Sequence, residues 1–145
     1  MTDDADHIAR QCAEAMWASD HASQGLGMTL DTVRAGHAVL SMPVRDDMVN
    51  GHGTCHGGFI FTLADSAFAF SCNTYDERTV AQHCSITFIA PAMRGDVLTA
   101  TGREVSRTGR SGIYDITVTT AQSKPIAEFR GHSRTIGGSI INPDK

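Results

Sequence analysis

No Cys-x-x-Cys pair, no Gly-x-Gly-x-x-Gly run and no Walker A loop occur in this chain of 145 residues. Their absence removes the usual supports of thiol redox, nucleotide-cofactor redox and phosphoryl-transfer chemistry. The four cysteines, at 12, 55, 72 and 84, keep no regular spacing, which argues against a disulfide framework and for reduced thiols in the cytoplasm. Serine hydrolysis lacks its Gly-x-Ser-x-Gly elbow. The apolar stretch from Phe59 to Phe70 falls well short of the roughly 20 residues of a membrane span, and it contains Asp65. Met1 to His7 is acidic and polar, unlike the start of a secretory signal. A net charge of −4 argues against general binding to nucleic acid or anionic membranes. There is no internal repeat, linker or low-complexity block. A single domain over 1–145 is expected, with its core over about 20–137 and a polar tail, 138–145, that should fray.

Periodicity gives the order of elements. Ile8, Cys12, Ala15 and Met16 stand at helical spacing within Ala5–Ser19. Met28–Arg34 and Ala38–Val44 alternate as two strands around an Ala35-Gly36 turn. An irregular loop over 45–57 leads into an apolar helix, Gly58–Cys72. Strands follow over Val80–Ile89, Val97–Ser106, Ile113–Ala121 and Ile126–Ile136. One long helix among strands argues for an α+β fold with an antiparallel sheet. The helix carries Phe59, Ile60, Phe61, Leu63, Ala64, Ala67, Phe68, Ala69 and Phe70 on every side. It should be buried all round, covered partly by the curling sheet and partly by a second subunit.

Asp65 is the only formally charged residue between Asp47 and Asp76, in the middle of that helix. A buried carboxylate costs several kcal/mol unless paired, hydrogen-bonded or protonated. It is either a catalytic acid or a structural one bonded to neighbouring Ser or Thr hydroxyls. Val49-Asn-Gly-His-Gly-Thr-Cys-His-Gly-Gly58 enters the helix N-terminus, where backbone N–H groups are unpaired and the dipole is positive. Gly57 and Gly58 let a ligand oxygen approach those amides, as an oxyanion hole requires, or simply permit a tight entry beside the sheet. His56 can donate a hydrogen bond or shape the loop, and Asn50 can position a water or a carbonyl. His52-x-x-Cys55-His56 has no second ligand pair, so no metal is expected. Asp65 lies eight residues beyond Gly57, about 12 Å at 1.5 Å per residue. One carbonyl cannot reach both on a single helix. If they act together, they belong to two subunits related by a two-fold axis.

Asn50-Gly-His-Gly-Thr-Cys-His-Gly-Gly58 followed by Leu63-Ala-Asp-Ser-Ala-Phe-Ala69 resembles the hotdog-fold acyl-CoA thioesterases, closest to the phenylacetic-acid-degradation family. The resemblance continues through Phe88–Leu98, Gly109–Val118 and Ala127–Arg134. It implies a curved sheet wrapped around the central helix and dimers with shared sites, commonly paired into homotetramers. It implies an acyl-CoA substrate such as phenylacetyl-CoA or hydroxyphenylacetyl-CoA, and no cofactor. Asp65 matches the family's catalytic carboxylate, Gly57 its carbonyl-polarising amide, and Asn50 and His56 the accompanying polar groups. Gly58 is expected to bind substrate. Arg107 and Arg110, from a set with Arg94, Arg103, Arg130 and Arg134, are expected at the coenzyme A phosphates. Phe59, Phe61, Phe68 and Met48 are candidates to line an aromatic-accepting pocket. The alternatives are a non-catalytic acyl-CoA-binding domain and a hotdog hydratase or dehydratase.

Overall fold

Period-two alternation builds the sheet. In Ser111–Thr120, Tyr114, Ile116 and Val118 turn inward and are buried, while Ile113, Asp115 and Thr117 stay half-exposed on the other face. The computed structural model describes residues 2–144. Its elements are α1 (Thr2–Trp17), α2 (His21–Gly25), β1 (Thr29–Arg34), β2 (His37–Pro43), a 3-10 turn (Asp46–Met48), α3 (Gly57–Cys72), β3 (Thr79–Phe88), β4 (Val97–Thr108), β5 (Ser111–Thr120) and β6 (Pro125–Thr135). The six strands form one sheet in the order β1-β2-β4-β5-β6-β3, with every neighbouring pair antiparallel. This is the α+β architecture the sequence implies. The short α2, capped by Asp20 accepting from the Ser23 N–H at 2.9 Å, is an element that periodicity did not reveal.

The sheet curls around α3, which packs across β2, β4 and β5 and reaches every strand. Two glycines allow the close approach. A Cβ at Gly131 would stand 2.7 Å from three atoms of the Phe68 ring, and one at Gly102 would strike the Ser71 hydroxyl. The Phe68 ring is buried against Tyr114 and Phe129, at centroid distances of 5.9 and 5.8 Å. Burying a side chain of this size contributes about 2–3 kcal/mol, so Phe68 pins the middle of the helix to the sheet.

Within one chain the sheet does not cover the helix all round. Thr62, Asp65, Ser66 and Ala69, spaced three and four apart, form a half-open stripe that the chain's own sheet does not reach. Beside α3 runs β3, antiparallel to it. Asn73 ties the end of α3 to the start of β3 by donating to the Thr79 carbonyl (3.0 Å) and accepting from its N–H (2.9 Å). At the other end Phe88 meets Gly57. β3 pairs with β6 on one side only and is a ten-residue edge of the sheet.

The start of the polar tail is anchored to the turn after α3. Asp76, at a φ of 56°, accepts the N–H groups of Ile140 and Ile141 at 2.8 and 2.9 Å and the Ser139 hydroxyl at 2.8 Å. Those bonds, the Ile141 amide first among them, hold the Asp76 carboxyl below the usual carboxylate range.

Candidate active site

The tip of α3 is where the loop chemistry converges. His56 is its N-cap, with extended backbone (φ −60°, ψ 134°), and its Nδ1 accepts the Gly58 N–H at 2.9 Å. The His56 carbonyl takes the Phe59 N–H at 3.0 Å. Among the described residues the Gly57 N–H has no partner. One unpaired amide is thus left at the positive end of a sixteen-residue helix. The expectation for Gly58 changes accordingly, since its amide is already used by the cap and Gly57 alone offers a donor. With Nδ1 accepting, the neutral His56 ring carries its proton on Nε2, free to donate outward.

Asn50 shapes the loop behind this tip. Its side-chain oxygen accepts the N–H groups of His52 (2.9 Å) and Thr54 (3.3 Å), leaving its amide NH2 without a partner among the described residues. The His56 N–H donates to the Met48 carbonyl, and the Cys55 N–H to that of Ala92, both at 2.8 Å. The loop is therefore latched to both flanking segments. Beside Gly57 opens a cleft of about 370 Å3, lined by Cys55, Ile60, Phe88, Ile89, Ala90 and Pro91.

Asp65 stands about two turns further along α3. The structural alternative for this acid finds no support among the described residues. The Ser66 hydroxyl is engaged with Ser23 at 2.8 Å and that of Thr62 with the Gly58 carbonyl at 2.8 Å, so neither serves Asp65. Burial raises the Asp65 carboxyl above its ordinary pKa. Burial and, after it, the charge of Asp65 also push up the half-buried Cys84 thiol, which places the acid on the β3 side of the helix.

The structure thus brings Asn50, His56, Gly57 and Gly58 together and leaves Asp65 apart. Arg107 and Arg110 lie at the opposite end of α3, near Cys72 and Tyr75. The Arg107 guanidinium stacks over the Tyr75 ring at 3.7 Å. Of the other candidate arginines, Arg94 pairs with Asp46, while Arg103 and Arg130 share Asp115. Phe68 and Met48 are core residues, each 1% exposed. Phe61 packs edge-on against Phe129 at 5.3 Å. Phe88, outside the set of residues expected to line a pocket, is the aromatic ring at the cleft. No group of three or more His, Cys, Asp or Glu side chains able to hold a metal occurs among the described residues.

A central helix held in a curled six-stranded antiparallel sheet is the arrangement of a hotdog fold. The Thioesterase superfamily family model matches residues 52–127. The acyl-coenzyme A thioesterase PaaI of Escherichia coli is 43% identical over 92% of this chain and 96% of its own length. The structure of the E. coli PaaI protein from the phenylacetic acid degradation operon superposes with a TM-score of 0.91 at 42% identity, covering 92% of this chain and 97% of that one. A Streptococcus mutans protein solved bound to acetyl-CoA superposes at 0.73 with 26% identity, over 76% of this chain and 89% of its own. The chain belongs to the thioesterase superfamily, and it is a thioesterase of the hotdog fold. Among the described residues no helix is long and apolar enough to cross a membrane.

Proposed function

We propose that the protein hydrolyses aromatic acyl-CoA thioesters, with phenylacetyl-CoA or hydroxyphenylacetyl-CoA as substrate, at sites shared between two protomers. The observation that carries this reading is the separation of the unpaired Gly57 amide and the unpaired Asp65 carboxylate on one helix. Pairing the free edges of two β3 strands about a two-fold axis lays two α3 helices side by side in opposite directions. Asp65 of one protomer then meets the partner's Gly57, and the half-open stripe of α3 is covered. The thioester carbonyl accepts from the Gly57 N–H, with the His56 Nε2–H and the Asn50 NH2 near it. Asp65 removes a proton from a water that attacks the carbonyl carbon, or its carboxylate attacks directly to give a mixed anhydride that water then opens. The tetrahedral oxyanion collapses, the carbon–sulfur bond breaks, and coenzyme A leaves as a thiolate that needs little acid assistance.

The antiparallel arrangement also carries the far end of each α3 past the tip of its mate. Arg107 and Arg110 then lie beyond the thioester, in the direction the pantetheine arm takes to its phosphates, and the Tyr75 stack presents the Arg107 guanidinium ready-placed. The acyl-CoA names and ligands of the E. coli and S. mutans relatives support this substrate class. Two such dimers pair into a homotetramer, and four unpaired cysteines suit the cytoplasm. The test is thiol release from purified protein with phenylacetyl-, hydroxyphenylacetyl-, benzoyl- and straight-chain acyl-CoA. Fastest release from the first two is expected. Stoichiometric binding without thiol would leave an acyl-CoA-binding domain, and an intact thioester that gains or loses water would mark a hydratase or dehydratase.

A further inference from the structure

The cleft at Gly57 owes its shape to one ring. A Cβ built on Gly57 would stand 3.0 Å from Phe88 Cζ, 3.3 Å from Cε1 and 3.5 Å from Cε2. The three nearest atoms are the distal tip of the ring, and their nearly equal distances set the Cβ over the ring plane, so Phe88 lays the tip of one face on Gly57 and turns its opposite face away from the helix. Phe88 is 51% exposed and lines the cleft with Ile60, Ile89 and Pro91. A large aromatic left half-open within its own chain, at the last residue of β3 and touching the residue with the unpaired helix amide, is placed to meet whatever is attached to a carbonyl bound there. Packing within the chain does not account for it, because Phe61, Phe68, Phe70 and Phe129 all find ring partners among themselves or with Trp17 and Tyr114, and Phe88 finds none.

We infer that Phe88 is the acyl-selecting residue: the face turned away from Gly57 stacks against an arylacyl group, while the tip of its other face, held on Gly57, keeps that group beside the amide. This rests on the thioesterase reading above and adds to it the residue that separates aromatic from aliphatic esters. Aromatic pairs favour offset or edge-to-face contact and are worth roughly a three- to tenfold preference beyond the area they bury.

The test compares kcat/KM of wild type, Phe88→Leu and Phe88→Ala on phenylacetyl-CoA, on acetyl-CoA and on the phenylacetyl thioester of N-acetylcysteamine, which lacks most of the coenzyme. Leu keeps the apolar bulk and removes the ring, and thermal melts establish that each variant is folded. Both variants are expected to lose roughly three- to tenfold more on phenylacetyl-CoA than on acetyl-CoA. The same relative loss should appear with the short phenylacetyl thioester. Equal losses on phenylacetyl-CoA and acetyl-CoA by folded variants would overturn the inference, as would a loss confined to coenzyme A esters, which would put the ring against the pantetheine arm. A wild type that releases thiol from none of the three esters would instead remove the thioesterase reading, and this inference with it.

Discussion

Replacing Gly57 by proline deletes one hydrogen-bond donor and sets the ring Cδ where its hydrogen was, while the backbone already suits the change. Gly57 is the first residue of α3, a position where proline is favoured because its missing N–H was unpaired in any case. The residue before a proline must be extended, and His56 already is, at φ −60° and ψ 134°. The new Cβ meets the Phe88 ring tip at 3.0 Å, and that half-exposed ring can give by a few tenths of an ångström without disturbing the core. Folding stability should therefore change by less than about 1 kcal/mol. Loss of an oxyanion donor costs about 10²–10³ in kcat, or roughly 3–4 kcal/mol of transition-state stabilisation. The assay is steady-state thiol release beside a thermal melt, with Gly57→Ala as the control that carries the same Cβ but keeps the N–H. Proline should fall at least about tenfold below alanine. A folded proline variant with wild-type kcat would refute the role of this amide.

Asp65→Asn should lower turnover by about 10²–10⁴, the scale of a lost general base, and a folded variant at near-wild-type rate would remove Asp65 from the chemistry. The same variant should melt above wild type at neutral pH. A carboxyl whose folded pKa is raised by burial contributes stability below its unfolded pKa and loses it as pH rises through the folded value, so the ionised acid is a burden at pH 7. The difference in melting temperature should vanish at low pH; a variant less stable than wild type would show that Asp65 is structurally satisfied. For the same reason the acid limb of kcat/KM should lie above the ordinary carboxylate range, and a limb at or below it would contradict the burial of the base. Gly131→Ala drives a methyl into the buried Phe68 ring and should destabilise by about 1–3 kcal/mol in chemical denaturation. A cost near zero would mean that α3 is less tightly held than its contacts imply.

What the sequence revealed and what it hid follow from the range of the interactions concerned. Alternation in Ser111–Thr120 and the apolar run of α3 are local signals, and both elements stand within a residue or two of their expected bounds. The loop-and-helix motif likewise groups Asn50, His56 and Gly57 by local sequence alone. The arginines could not be sorted in this way. Arg103, Asp115 and Arg130 are cross-strand neighbours on β4, β5 and β6, a fact that exists only once register is known. The Asp76 anchor was invisible because it joins residues more than sixty positions apart. Phe88 carries no local signal of its place at the cleft, because it lies on a strand thirty-one residues from Gly57 in sequence. The structure turns two of those candidates, Phe68 and Met48, into the core and exposes the ring at the end of β3 instead.

The shared site is tested most directly by co-expressing Asp65→Asn and Gly57→Pro chains and assaying the purified mixed assembly. Each chain alone is nearly inactive. In a heterodimer one of the two sites carries both defects and the other carries neither, so random pairing should restore about a quarter of wild-type activity. Mixed dimers demonstrated by mass spectrometry that hydrolyse no faster than either parent would contradict a site built across two protomers.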